Sequence, residues 1–289
     1  MLSIRLSGLT FITMLCFAGN SVFCRLALRQ TSIDAASFTA VRLVCGALVL
    51  ALLVYGRQRF LRARDTRPNG LGGNWISSLA LFIYASALSY SYADMSTGIG
   101  ALLLFGAVQA TMILTGLWRG ERLNSRQTVG LVLALAGVGA ILSYGLDAPP
   151  ISSALLMLTS GVAWGVYSLR GRGVADPTGD TAGNFLRASS MSVLLSVFFL
   201  AHQHLDRQGV LYAMLSGAIT SGLGYAIWYA VLPKLTRTRA AAVQLSVPVF
   251  ASLAGALFVN EPITLNLMLT SAAVLGGIAL VVYSEHSAI

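Results

Sequence analysis

The sequence predicts an all-α integral membrane protein with ten transmembrane helices arranged as two inverted five-helix repeats. Three observations predict it: a composition too apolar for a wetted surface, apolar runs of membrane-spanning length, and charges that match between the two halves. Hydrophobic residues make up 56% of the 289 positions, charged residues only 10%, and the mean hydropathy is +0.76. A soluble domain carries about 25% charged residues, so most of the outside of this chain is expected to face lipid. About twenty helical residues match a hydrocarbon core of roughly 30 Å, and runs of that length recur along the chain.

In chain order the expected spans are 6–28, 35–56, 74–93, 97–118, 125–144, 151–170, 183–202, 208–231, 239–259 and 263–284, each bounded by charge, proline or glycine. The first run follows Arg5 as a signal peptide would, but it continues to about Leu28 and equal spans follow, so it reads as a retained helix. The widest gap, Gly56 to Asn74, is arginine-rich and contains glycine, as a solvated connector does. Cys16, Cys24 and Cys45 lie inside apolar runs, without metal-ligand spacing, and read as small packing residues.

The net charge is +9, and every basic residue but Lys234 is arginine. These arginines fill the short gaps between apolar runs, so they read as orientation signals rather than as a nucleic-acid surface. With the N-terminus inside, 15 basic residues fall on the inner side and 4 on the outer (Arg25, Arg29, Arg42 and Arg207). That bias predicts cytoplasmic N- and C-termini in a bacterial inner membrane.

An offset of 145 aligns Arg25 with Arg170 and Arg42 with Arg187; an offset of 140 aligns Glu121 with Glu261 and Gly137 with Gly277. The chain therefore divides into 1–146 and 147–289, five spans each. An odd number of spans inverts the second half, a plan that recurs in transporters with the solute site between halves.

Each half ends on an apolar helix, a glutamate and a glycine-rich helix: LTGLWRGERLNSRQTVGLVLALAGVGAIL and LAGALFVNEPITLNLMLTSAAVLGGIAL. With ten spans in two halves, the whole chain resembles the EamA family of the drug/metabolite transporter superfamily. The segments LTFITMLCFAGNSVFCRLAL and FTAVRLVCGALVLAL are most similar to YddG-like amino-acid exporters. The resemblance implies export of amino acids (aromatic or neutral) or related metabolites by alternating access, without a cofactor, from a cavity between the repeats. Other small metabolites or drugs on the same fold are the alternative. Pro248 lies mid-helix in the second half, as is common in that family, whereas the aligned first-half position is Val108.

Polar and aromatic residues inside spans are costly unless they face a cavity or a partner. Thr13, Phe17, Asn20 and Cys24 share one helical face, as do Ser160, Trp164 and Tyr167, and Ser221, Tyr225 and Trp228. The third span carries Tyr84, Ser86 and Tyr90. Hydroxyls, amides and rings in such stripes suit an amphipathic solute; helix–helix glue and interfacial belts produce the same pattern. The expected substrate contacts are Asn20, Tyr84, Tyr90, Gln109, Trp164, Tyr167, Tyr225, Trp228 and Gln244. Trp75, Trp118 and Tyr55 fall at span ends as belt residues.

Arg42 lies about 10 Å into its span, and Arg187 is its inverted counterpart. Both either snorkel to the headgroups or act as gates or attractors of a carboxylate. Glu121 and Glu261, at span ends, read as local caps or pairs. Pro248 is expected to kink its helix, and Gly137, Gly139, Gly276 and Gly277 to bring the fifth and tenth helices close. No Asp, Glu or His lies near the middle of a span, which points to a facilitator or a weakly coupled carrier. No metal ligands and no buried nucleophile–base pair suggest an enzyme. Oligomeric state, monomer or homodimer, is not legible.

Overall fold

The computed structural model describes residues 4–62, 71–120, 123–143, 148–199, 203–235 and 237–284. The first half comprises α1 (Ile4–Gln30), α2 (Ala35–Arg62), α3 (Trp75–Tyr92), α4 (Thr97–Trp118) and α5 (Ser125–Ser143). The second begins with α6 (Ile151–Arg170) and α7 (Pro177–Phe198). Its third span joins α8 (Arg207–Leu215), a π-helical segment (Ser216–Leu223) and α9 (Gly224–Val231). Its fourth is broken into α10 (Arg237–Gln244) and α11 (Ser246–Phe258), and α12 (Leu265–Ser284) closes the chain. The fold is all-α, with five spans per half and the second half inverted.

Seven of these spans are long and apolar enough to cross a membrane by length and composition. The others fall short for visible reasons. α3 is short and rich in serine, and α7 opens on the polar run PTGDTAGN. The ninth span is interrupted at Leu245, where the chain makes a tighter bond from Leu245 N–H to Ala242 O. Pro248 lacks the N–H that would bond Gln244 one turn back, so the break falls in the turn before it.

Two helices exceed their apolar runs. α2 continues to Arg62, and α7 starts six residues before the expected 183, at Pro177 behind the N-cap Asp176. In both, the added turns are polar and meet each other: Arg57 Nη1 donates to Asp176 Oδ1 at 2.8 Å, with Nη2 on Oδ2. Hydropathy sees where a helix enters lipid; capping and ion pairing decide where it stops.

α12 packs along α5, α3 along α6, and α2 along α7 and the π segment. The glycines that permit the α5–α12 approach are Gly130, Gly137 and Gly277: a Cβ on Gly130 would lie 2.5 Å from Gly277 O, and one on Gly137 2.7 Å from Val274. Around Gly139 and Gly276 an added Cβ meets nothing within 4 Å, so these two do not serve the close packing expected of them. Trp75 and Trp118 are exposed at helix ends, as belt residues would be, and Tyr55 is exposed about two turns before the end of α2.

Candidate functional site

Halfway along the bundle, rings from both halves converge. Trp164 (α6) lies between Tyr84 (α3) at 4.9 Å and Tyr225 (α9) at 5.0 Å, with Tyr167 stacked at 5.5 Å. Phe17 (α1) meets Trp164, Tyr225 and Trp228 edge-on, and Phe185 (α7) meets Tyr225 at 5.5 Å. Small residues position Trp164: Gly161 and Gly165, on the flank of α6 next to it, set that helix against Leu104 and Thr111 of α4. Ser160 Oγ ties α6 to the Tyr84 carbonyl at 2.9 Å.

Beside the rings lies a polar knot around Asn20. Its Oδ1 accepts from Ser216 and Thr220 at 2.8 Å each and from Ser221 at 3.2 Å. Residues 216, 220 and 221 reach one oxygen because the wider π turn puts i, i+4 and i+5 on one side. The π segment itself comes close to α2: a Cβ on Gly217 would lie 2.2 Å from the Arg42 carbonyl.

Arg42 is buried in this knot, 1% exposed. Nε donates to Ser221 Oγ at 3.3 Å, Nη2 donates to Tyr84 Oη at 3.2 Å, and the guanidinium sits 5.3 Å from the Tyr84 ring centroid. Snorkelling does not describe it. α2 packs too closely on the π segment to give the side chain a path to the interface. Nη1 is buried with no acceptor, as is the Tyr225 hydroxyl. Among the described residues the ion pairs are Arg25–Glu261 and Arg57–Asp176, so Arg42 has no carboxylate partner. An ion withdrawn from water costs several kcal/mol unless it is paired; two neutral hydrogen bonds and a ring contact offset only part of that.

Phe17, Asn20, Ser21, Tyr84, Leu104, Phe105, Trp164 and Tyr225 enclose a cavity of about 10 Å³. That is room for about one water, so the centre is contracted. Both ends are closed as well. On the side where α1 ends, Arg25 donates to Glu261 Oε1 at 2.9 Å and to the carbonyls of Tyr92 and Ala93, while Glu261 Oε2 accepts the Thr97 N–H. Each charge complements a helix dipole, the cation at the α3 C-terminus and the anion at the α4 N-terminus. Asn260, at φ 57°, turns the chain after α11 so that Glu261 points back. A cleft of about 400 Å³ opens beside this pair, lined by Arg25, Arg29, Asp94 and Glu261 among others.

At the other end, loop 71–74 is gripped by α7. Asp180 Oδ1 accepts from Gly73 N, Asn184 Oδ1 accepts from Asn74 N, and Arg187 Nη1 donates to Gly72 O at 2.8 Å. Gly73 adopts φ 78°, and a Cβ on Gly72 would strike Asp180 at 2.0 Å, so glycine is required at both. Arg170 adds bonds to Ser77 and Asn74.

Of the residues singled out from sequence, Asn20, Tyr84, Trp164, Tyr167, Tyr225 and Trp228 come together at the centre, and Arg42 joins them. Arg187 does not; it belongs to the clasp, 5.8 Å from the Trp75 ring. Tyr90 is half-buried on another face of α3, six residues and about 600° of helix from Tyr84. Gln109 turns instead to a small cavity between α4, α5 and α12. The Gln244 amide bonds back to Ala240 O at the end of α10. Glu261 pairs across the fold rather than locally, and its aligned counterpart Glu121 lies outside the described residues. The structure adds Ser216 and Thr220 to the centre, and brings in Phe17 from the Asn20 stripe. Their signal in the sequence is the register with Asn20 on α1 and the small-residue run SGAITSGL.

The profile described as the EamA-like transporter family matches residues 7–143 and again residues 151–283. An uncharacterized protein of Pseudomonas aeruginosa is 54% identical over 273 residues, 94% of this chain and 93% of its own length. The uncharacterized transporter YoaV of Bacillus subtilis is 23% identical over 250 residues, covering 83% of this chain and 85% of YoaV. A protein of Escherichia coli named "probable amino-acid metabolite efflux pump" is 25% identical over 185 residues, 59% of this chain and 62% of its own. A solved crystal structure superposes with a TM-score of 0.64 at 19% identity, over 95% of this chain and 98% of the other, which supports the fold.

Proposed function

Since the chain belongs to the EamA-like transporter family, we propose that it exports small amphipathic metabolites, amino acids with aromatic or neutral side chains among them, across a bacterial inner membrane. The solute is held between the repeats, against Asn20, Tyr84, Trp164, Tyr167, Tyr225 and Trp228, with Arg42 at its polar end. The observation that carries this reading is the meeting of a ring cage with an unpaired buried cation halfway between two closed ends. The rings shelter an apolar side chain, and the hydroxyls, amide and guanidinium orient a polar head.

In the contracted, doubly closed arrangement the solute is shut off from both sides. Opening the Arg57–Asp176 and loop 71–74 clasp exposes the cage on one face, and opening the Arg25–Glu261 latch exposes it on the other. With the N- and C-termini cytoplasmic, as the arginine bias favours, the clasp is the entrance and the latch the exit. The efflux-pump name of the Escherichia coli relative favours amino-acid metabolites.

The test is a panel of radiolabelled amino acids in proteoliposomes. Uptake of at least one aromatic or neutral member, lost in Trp164→Ala and Asn20→Ala with normal expression, is the expected result. Unchanged kinetics in both variants removes the cage from the pathway.

A further inference from the structure

The hydrogen-bond directions at the centre define the polar head it accepts. Arginine donates and never accepts, so each hydroxyl bonded to Arg42 gives it a lone pair and turns its own proton elsewhere. Ser221 accepts from Nε and passes its proton to Asn20 Oδ1. With three hydroxyls around that oxygen, the Asn20 amide is left to present N–H₂ to the cavity it lines. Tyr84 accepts from Nη2, which leaves its O–H for the cavity. Tyr225 adds an unengaged O–H, and Arg42 Nη1 an unengaged N–H. The groups thus gathered at one end of the ring cage are donors, and they surround a full positive charge.

An α-ammonium finds little here. Its hydrogen-bond acceptors in the lining are the neutral hydroxyls of Ser21 and Tyr225; the ring faces could also hold a cation, but it would then share a low-dielectric site with Arg42, where like charges repel strongly. Among the described residues the acidic side chains sit at helix ends, in the latch, the clasp and the caps. Resting on the transport reading above, we infer that the site selects its solute by the carboxylate and not by the amine. Aromatic carboxylic acids without an amino group are therefore substrates at least as good as the matching amino acids. The carboxylate completes the missing ion pair of Arg42; the apolar remainder lies among Phe17, Trp164 and Tyr225.

The experiment measures equilibrium binding of radiolabelled hydrocinnamate, the deaminated analogue of phenylalanine, and of phenylalanine itself to the purified chain in detergent. Phenylalaninamide and phenethylamine are the competitors. Hydrocinnamate is expected to bind at least as tightly as phenylalanine, with the amide and the amine tenfold or more weaker. Arg42→Gln is expected to abolish this preference, and Arg42→Lys to keep it at reduced affinity. If Arg42→Gln fails to fold, the isosteric Tyr225→Phe is expected to weaken hydrocinnamate several-fold and phenethylamine not at all. Phenethylamine or phenylalaninamide binding as well as hydrocinnamate overturns the inference and leaves the transport reading standing. No binding by any of the four overturns the inference together with the aromatic part of the transport reading, while the amino-acid panel still decides the transport reading itself.

Discussion

Arg25 Nε and Glu261 Oε1 lie 2.9 Å apart although 236 residues separate them, and together they join the end of α1 to the turn after α11. Their side chains are 7% and 13% exposed, so the pair is largely desolvated. Removing one partner of a buried pair costs about 3–5 kcal/mol, because the other is left uncompensated. Arg25→Ala should therefore lower the population closed on that side by on the order of a hundredfold to several thousandfold. The readout is alkylation of a Met95→Cys variant, which lines the adjacent cleft, in a background without the native cysteines. Labelling that is no faster in Arg25→Ala would show that other contacts hold this end shut.

The opposite end gives a test in pH. The Arg57 guanidinium hydrogen-bonded to Asp176 holds that carboxyl below the usual aspartate range. A carboxylate with a depressed folded pKa contributes fully above its unfolded value, about 3.9, and loses the contribution as pH falls through the lower folded value. The clasp should therefore be insensitive to pH between about 5 and 8, while Asp176→Asn loosens it throughout that window. Maleimide access to a Thr181→Cys variant reports it. A pH-dependent rate in the otherwise native chain would place the controlling titration elsewhere.

The π segment offers a steric test. Gly217→Ala puts a methyl 2.2 Å from the backbone oxygen of Arg42, and backbone has no cheap way to move aside. Overpacking of this kind costs about 1–3 kcal/mol and pushes Ser221 away from Arg42. Transport should drop tenfold or more in Gly217→Ala. Gly139→Ala, where the added carbon meets nothing within 4 Å, should leave transport and melting temperature unchanged. Equal effects from the two would dismiss the close approach as a determinant.

The fold was legible in the sequence because membrane spans obey a length rule and loops obey a charge rule. Direction around a helix axis was harder. Tyr84 and Tyr90 sit on one apolar span with similar polarity, but their azimuths differ, and only the packing of α6 says which one looks inward. Gln109 and Gln244 turn away from the centre, their azimuth likewise not being legible in the sequence. Arg42 was readable as a charge inside a span, yet its depth alone could not separate snorkelling from burial; the glycine contacts at Gly46 and Gly217 decide that. Glu261 stands at a span end, where a local cap or pair is the economical reading, and Arg25 reads as one of the outer charges. Their pairing is a property of the tertiary structure.

The charge carried by the solute gives the last prediction. If the carboxylate alone is selected, the transported hydrocinnamate bears one negative charge, and no Asp, Glu or His lies among the described residues of the centre to carry a compensating proton. An inside-negative potential then drives it outward with about 2.3 kcal/mol per 100 mV, whereas zwitterionic phenylalanine moves no net charge. Proteoliposomes loaded with either solute and given a valinomycin-mediated, inside-negative potassium diffusion potential separate the cases. Hydrocinnamate efflux should accelerate several-fold with the potential and stay flat with an imposed pH gradient; phenylalanine efflux should respond to neither. Acceleration by the pH gradient instead would mean that a proton travels with the anion. The carrier would then be coupled, and the latch carboxylate, Glu261, would be the first group to test by neutralisation.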